Sequence, residues 1–559
     1  MTRATLILAL GLSACMAAPD SEADSTSDDT PTGASPTSVE YGDLGTVRLT
    51  TGCGDAAHPL VERGLALLHH MTYLDARESF AAAVEADPAC GFGYWGQAMT
   101  YIHPLWPDVP STEDLDRGRQ LVERGREAAA SDTRAADYLS TVEAYFRDAT
   151  DRTEPERLAS FAAAWAQVRD RHPDDLEARA LSALALLATV SPSDKTYAGQ
   201  YEALDLLDDV LEAIPDHPGG QHYVIHARDY PPLAEDALDV ARAYGRLAPD
   251  VPHALHMPTH IYTRVGLWDE SIEGNDRSAE SSWRRTEAVG GISTDFHHAL
   301  DYLAYAHLQR AEDESARAVM ERALAADGPW AAANMPAIAY ALAAIPARYA
   351  LERRDWNTAA DLAPRAPDGF PWDDGFAPFE ALTHFARALG GARSGRFDVA
   401  EEAIGTLEAL GERISSTSSN EYWRTQIEVQ VVAARAWLAH ERGDRDRGLD
   451  LMREAARVEA STEKGPVTPG ELLPAAELLG EMLFLAGRYD EALDAYEAAL
   501  ARSPNRLNGL AGAAKAARAA GRDDAAQRYL TALIDLTASA ETPRPAIEEA
   551  RAYVEEVSQ

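Results

Sequence analysis

Small, aromatic and apolar residues recur at helical spacing along most of the chain, in units of 34 residues. In residues 57–90, Gly64 stands at unit position 8, Tyr73 at 17, Ala76 at 20, Phe80 at 24, Ala83 at 27 and Pro88 at 32. Small residues at 8, 20 and 27 let two helices approach closely, aromatic residues fill the seam, and the proline ends the second helix. The set returns at residues 473–506, with Gly480, Gly487, Tyr489, Ala492, Tyr496, Ala499 and Pro504 at 8, 15, 17, 20, 24, 27 and 32. Gly521 and Ala526 follow Gly487 and Ala492 by 34 residues, which sets a further unit at 507–540. Ala237, Ala241, Tyr244 and Pro249 mark a unit at 218–251, and Gly266 and Trp268 one at 252–285. Weaker copies centre on Ala316, Ala359, Ala400 and Gly448. Residues 112–215 predict helices without this spacing: Leu115–Ala130, Ala135–Arg147, Glu154–Arg171, Asp175–Thr189 and Tyr201–Ile214. Alternating Val, Ile and Thr are nearly absent, and only Thr46–Thr51 predicts a short strand. Loops rich in Gly and Pro, Arg365–Trp372 and Thr462–Gly470, interrupt the array.

The unit resembles the tetratricopeptide repeat. The resemblance implies an all-α fold over residues 46–550, a right-handed superhelix of stacked helical hairpins with loop insertions. Such a solenoid presents a concave groove, commonly for a protein or peptide partner. Several segments resemble a bacterial family of tetratricopeptide-repeat proteins. They are Asp87-Pro88-Ala89-Cys90 with Tyr94-Trp95-Gly96, His222-Tyr223-Val224-Ile225-His226-Ala227, His256-Met257-Pro258-Thr259-His260-Ile261-Tyr262, His298-Ala299-Leu300-Asp301-Tyr302-Leu303 and Thr462 to Gly470. The likeness covers most of residues 46–520 and departs at Gly465, where the family motif carries a His. It implies the fold and the placement of the histidines, and brings no biochemical activity with it.

Composition narrows the partners. The chain has 559 residues, too many for one compact core, and 91 acidic against 51 basic side chains give it a net charge of -40. A chain this acidic is a poor binder of nucleic acid or anionic lipid through general electrostatics, and no nucleic-acid partner is expected. No stretch reaches about 18 apolar residues, so any membrane attachment is by an anchor. Residues 1–15 read as an export signal, with Arg3 followed by an apolar run from Leu6 to Leu12. The ending Leu12-Ser13-Ala14-Cys15 resembles a bacterial lipobox, which implies lipidation of Cys15. A plain secretory signal with an incidental Cys is the alternative. Residues 16–45 are rich in Ser, Thr, Asp and Pro and read as a disordered acidic tether. The expectation is a lipid-anchored protein exported to the bacterial cell envelope. Cys53 and Cys90 bracket the first predicted hairpin, whose open ends lie side by side. An oxidising compartment permits a bridge between them, with two buried free thiols as the alternative.

The histidines are the strongest chemical signal. Nine of the sixteen lie between His217 and His307. His222 and His226 are four apart, as are His256 and His260, and the two pairs are 34 apart, so both occupy unit positions 5 and 9. Residues at i and i+4 share one helix face, and packed helices lie about 8–10 Å apart. Four imidazoles are therefore expected to converge. In the tetratricopeptide family, positions 2, 5, 9, 12 and 13 line the groove, which adds His253, Asp229 and Arg264, and from the next hairpin His298 and Asp301. Imidazoles with a nearby carboxylate suit Zn²⁺, Cu²⁺ or Ni²⁺, and the absence of a neighbouring Cys argues against a soft-metal site. The candidate metal residues are His222, His226, His253, His256, His260, His298, Asp229 and Asp301, with zinc or copper the fitting ions. Three readings stand side by side: a groove that binds a metal or small ligand, acid–base or hydrolytic catalysis, and a polar wall of histidines bonded to one another, to Tyr223 or Tyr262, or to backbone. The Glu of HExxH is missing and no Ser or Cys nucleophile sits in a recognisable motif, so catalysis has the least support. The function read from sequence is an envelope-anchored repeat scaffold with a His-rich ligand or metal site, the alternative being a metal-dependent carrier or hydrolase.

Overall fold

The computed structural model describes residues 41–106, 109–129, 132–191, 194–330, 335–414, 421–463 and 468–557. Cys15, the export signal, most of the tether and the Lys464–Val467 part of the last family segment lie outside the described residues. Among the described residues every regular element is a helix, and the one strand-like pairing is a single bridge between Ile292 and Trp330. None of these helices is long and apolar enough to cross a membrane. The chain is a helical-hairpin solenoid of the tetratricopeptide type.

The hairpins follow from the small residues. His58–His69 packs on Tyr73–Ala86, and a Cβ at Gly64 would stand 2.9 Å from the Phe80 ring. Ala475–Leu485 packs on Tyr489–Arg502 in the same way, with a Cβ at Gly480 falling 2.8 Å from Tyr496. Leu507–Ala519 pairs with Asp523–Leu536, and Pro218–Arg228 with Leu238–Leu247. In residues 252–285 the first helix is interrupted, running as Pro252–His256 and then Pro258–Val265 before Trp268–Arg284. Pro258 lacks the N–H that would continue the ladder, and the His260 N–H bonds Met257 O, three residues back. Cys53 and Cys90 form a disulfide across the open ends of the first hairpin, with Cα atoms 4.6 Å apart.

In residues 112–215 the observed helices are Thr112–Ala128, Thr133–Phe146, Glu154–Arg171, Leu176–Leu187 and Ala198–Ala213. Side-chain caps set several starts: Ser111, Asp132 and Asp175 each accept from a backbone N–H of the first turn.

Two expectations are corrected. Thr46–Thr51 is not a strand. Its backbone N–H groups bond helical hairpins and no second strand: Thr46 N–H donates to Asp216 O, in the turn between two helices, at 3.1 Å and Arg48 N–H to Glu177 Oε1 at 2.7 Å. The groove is also not open along the histidines. The Thr468–Leu473 segment runs against the Thr294–Gln309 and Met335–Glu352 helices: Tyr302 donates to Thr468 O at 3.1 Å, and buried Arg348 reaches Gly470 O at 2.6 Å. The C-terminal hairpins pack there too, through Trp268 Nε1 to Asn505 O at 2.8 Å and Leu507 N to Gln309 Oε1 at 3.0 Å. Inner-face side chains therefore meet protein, and His222, His256 and His260 are 0%, 1% and 2% exposed.

Candidate metal centre

Pro218–Arg228 carries His222 and His226 one turn apart. The broken helix of the next hairpin carries His253, His256 and His260, and Thr294–Gln309 carries His298. The expected single patch of four imidazoles is instead two trios, His222/His226/His253 and His256/His260/His298. Within each trio one ligand atom per residue lies within 4.8 Å of the others. Each i, i+4 pair meets through matching atoms. His222 Nε2 and His226 Nε2 are 3.1 Å apart, and His256 Nε2 and His260 Nε2 are 3.0 Å apart. The third ring arrives from a different helix: His253 lies 5.1 Å from His222, and His298 4.2 Å from His256, centroid to centroid.

Hydrogen bonds to the other ring nitrogens fix the protons. His256 Nδ1 faces Asn275 Oδ1 at 2.7 Å, and the amide of Asn275 is oriented by its donation to Ser271 O at 2.7 Å. An amide oxygen only accepts, so His256 carries its proton on Nδ1. His260 Nδ1 faces Asp229 Oδ2 at 2.9 Å, while Arg264 donates to Asp229 Oδ1 at 2.8 Å. A carboxylate beside a guanidinium is ionised and accepts, so His260 too is protonated on Nδ1. With both Nδ1 protons committed, the 3.0 Å between the two Nε2 atoms needs a second proton on one ring or a cation between them. Burial, then His298 and His260, push His256 well below the usual imidazole range, which opposes a proton between the rings. In the first trio His222 donates from Nδ1 to His69 O at 2.7 Å and stacks on Tyr244 at 5.2 Å. Its pKa also falls well below the ordinary value, through burial and then His226 and His253.

A third cluster was not anticipated from sequence. Glu177 Oε2 accepts from His69 Nε2 at 2.9 Å and from His217 Nε2 at 3.1 Å, all three side chains fully buried. His69 Nδ1 meets Tyr223 OH at 2.9 Å, and His217 Nδ1 accepts the Gly220 N–H at 2.9 Å. Burial alone would raise the Glu177 carboxyl, but His217 and His69 together hold it below the usual range. One ligand atom from each of the three lies within 4.8 Å of the others, as in the imidazole trios, but here both Nε2 protons already have an acceptor in Glu177, so the cluster is complete as an internal strut. His69 occupies position 13 of its unit, a groove-lining position, so its signal was present. Glu177 sits in the stretch without repeat spacing and had none.

Two expected carboxylate ligands are placed differently. Asp229 grips His260 and Arg264, so it orients a ring rather than joining the imidazole cluster. Asp301 turns to Arg348, with Oδ1 3.2 Å from Nε. Burial pushes the Asp301 carboxyl up to about 6, offset in part by Arg348.

No protein-family model matches the sequence, and no curated protein matches it. Solved structures similar to the chain include yeast Tom70, 13% identical, covering 89% of this chain and 96% of that one with a TM-score of 0.30. Human IFIT1, in a dimer with m7Gppp-AAAA, is 13% identical and covers 87% and 96% with a TM-score of 0.37. The repeat architecture rests on the hairpins described above.

Among the described residues, then, the His256/His260/His298 trio has the composition of a three-ligand zinc or copper site. Two Nε2 ligands at about 2.05 Å from one tetrahedral ion stand about 3.3 Å apart, close to the 3.0 Å between His256 and His260. Asp229 and Asn275 supply the outer bonds that usually orient metal-bound imidazoles.

Proposed function

We propose that this protein is a helical-repeat scaffold that binds a divalent transition metal, zinc or copper, in its buried histidine trios. The His256/His260/His298 trio is the principal site and His222/His226/His253 a second. The observation that carries the reading is the approach of two Nε2 lone pairs whose protons are committed elsewhere. A cation between them removes the repulsion, and burial disfavours a proton in that role. Three imidazoles leave one coordination position for an exogenous ligand. Only small groups reach these buried rings, so a protein or peptide partner belongs on the exposed helix faces. The lipobox-like leader and the Cys53–Cys90 disulfide support an exported, lipid-anchored location, because structural disulfides persist in oxidising compartments.

The test is metal analysis of the full-length protein purified without a polyhistidine tag, before and after chelation and re-loading with Zn²⁺ or Cu²⁺. The expected result is stoichiometric metal at sub-micromolar affinity, with one equivalent lost in the His256→Ala/His260→Ala variant. The single His298→Ala variant, altering a less buried ring, should fold and bind at least tenfold more weakly. A wild-type protein that takes up no more metal than the double variant overturns the reading.

A further inference from the structure

A cleft of about 600 Å³ opens beside the first trio, between the first hairpin, the segment after the Gly91–Met99 helix and the start of Thr294–Gln309. That volume is the size of a small-molecule site. Its inner wall carries His253, only 7% exposed, with neither ring nitrogen hydrogen-bonded. Asp295 approaches Nδ1 at 3.6 Å, too long for a hydrogen bond. Arg285 lies in the same wall, 8% exposed. Its Nη2 donates to Asp75 at 2.7 Å and its guanidinium rests over the Tyr41 ring at 4.5 Å, while its buried Nη1 has no partner. Buried donors without acceptors bear their full desolvation penalty, and two of them line one cavity. Toward the mouth the wall turns apolar. Trp106 contributes an aromatic edge, and Leu74 and Val109 are 45% and 59% exposed, among the few large apolar side chains left to solvent.

We propose that this cleft binds an amphipathic organic carboxylate. The carboxylate head accepts from Arg285 Nη1 and from the N–H of His253, and an alkyl or aryl body lies against Trp106, Leu74 and Val109. The cleft also carries Asp295, a carboxylate without a hydrogen bond among the described residues, 3.6 Å from His253 Nδ1, so an ammonium is the competing head, and the preference for an anion rests on the buried, unpartnered Nη1 of Arg285. Asp75 is engaged by Arg285 and by Tyr41, whose hydroxyl donates at 2.9 Å, and Asp114 by Ser111 at 2.7 Å. The cleft and Arg285 do not depend on metal in the neighbouring trio, so this inference goes beyond the metal reading.

Calorimetric titration of the full-length protein, chelator-stripped and zinc-loaded, with decanoate, decanol, decylamine and acetate tests it. Decanoate is expected to bind saturably at one site in both forms, at least tenfold more tightly than the other three. Arg285→Met should erase the preference for decanoate over decanol. Val109→Ser, a rim substitution that leaves the fold alone, should weaken decanoate several-fold. Three results overturn the proposal: no saturable decanoate binding in either form, decanol or decylamine binding as tightly as decanoate, or decanoate binding only to the zinc form, which puts the head on the metal instead of Arg285. Failure of metal uptake with decanoate binding intact sinks the metal reading alone.

Discussion

Protonation separates the three clusters of histidine more sharply than distance does. Around Glu177 each imidazole has a donor facing an acceptor, so the cluster is complete without any ion. Between His256 and His260 the committed Nδ1 protons leave two acceptors face to face. The same residue type thus acts as a strut in one place and forms a candidate ligand set in another, and the neighbouring acceptor decides which. Glu177 is the sharper test of the strut, because its carboxylate receives His69, His217 and the Arg48 N–H together. Glu177→Gln substitutes an amide whose nitrogen cannot accept, so at least one buried donor loses its partner. Breaking one side of a buried charged network typically costs about 3–5 kcal/mol, and a loss of that order is expected in chemical denaturation. A variant within about 1 kcal/mol of wild type would mean that the strut bears little of the stability. The tie also extends to the first trio, since His69 O is the acceptor that orients His222.

The helical hairpins were legible because their pattern is local. Gly64 and Phe80, or Gly480 and Tyr496, are 16 residues apart in sequence and in contact across one seam, so a single 34-residue window holds both partners. The histidine spacing was readable for the same reason, and it located both i, i+4 pairs. Repeat register also supplied His253, His298 and Asp229; what it could not supply was the division into two trios and the partners from outside the clear repeats. Glu177 reaches His69 over 108 residues, far outside any one repeat. The placement of Asp301 by register alone missed Arg348, which comes from a helix outside the clear repeats. The segment Thr46–Thr51 misled because its β-branched residues predict a strand, whereas its backbone bonds Asp216 and Glu177 in place of a neighbouring strand. At this scale the disulfide gives a testable consequence. A cross-link closing 37 residues stabilises by about 4 kcal/mol on a chain-entropy account. Repeats couple mainly to their neighbours, so Cys53→Ser/Cys90→Ser should raise amide exchange across His58–Ala86 by two to three orders of magnitude. Exchange in Tyr489–Leu536 should stay unchanged, and uniform acceleration along the chain would show that the array opens as one unit.

Across the whole molecule, acid stability is a contest between buried histidines and surface repulsion. Burial, first among the causes, lowers His70 to about 3 and His297 to about 4, and carries His222 and His256 well below their ordinary value. Each is neutral when folded and binds a proton near pH 6.5 when unfolded. Their contribution is therefore fully present above pH 6.5 and lost as pH falls toward the folded values. Each such group changes stability by about 1.4 kcal/mol per pH unit inside that window, so four together amount to about 5 kcal/mol per unit. Against this stands a net charge of -40, whose self-repulsion eases only once surface carboxylates protonate, near pH 4. The surface effect lies at lower pH, and between pH 6.5 and 5 the four histidines outweigh two buried carboxyls of opposite sign, Asp301 raised to about 6 and Glu459 to about 8, which gain stability as pH falls. With chelator present, the guanidinium midpoint should change little from pH 8 to 7 and fall from 6.5 to 5. Zinc should shift the onset of that fall to lower pH, because a metal-bound imidazole must lose its ion before it can take a proton. A midpoint that rises between pH 6.5 and 5 would mean that these rings are already charged in the folded protein, and the lone-pair argument for the metal trios would fail with it.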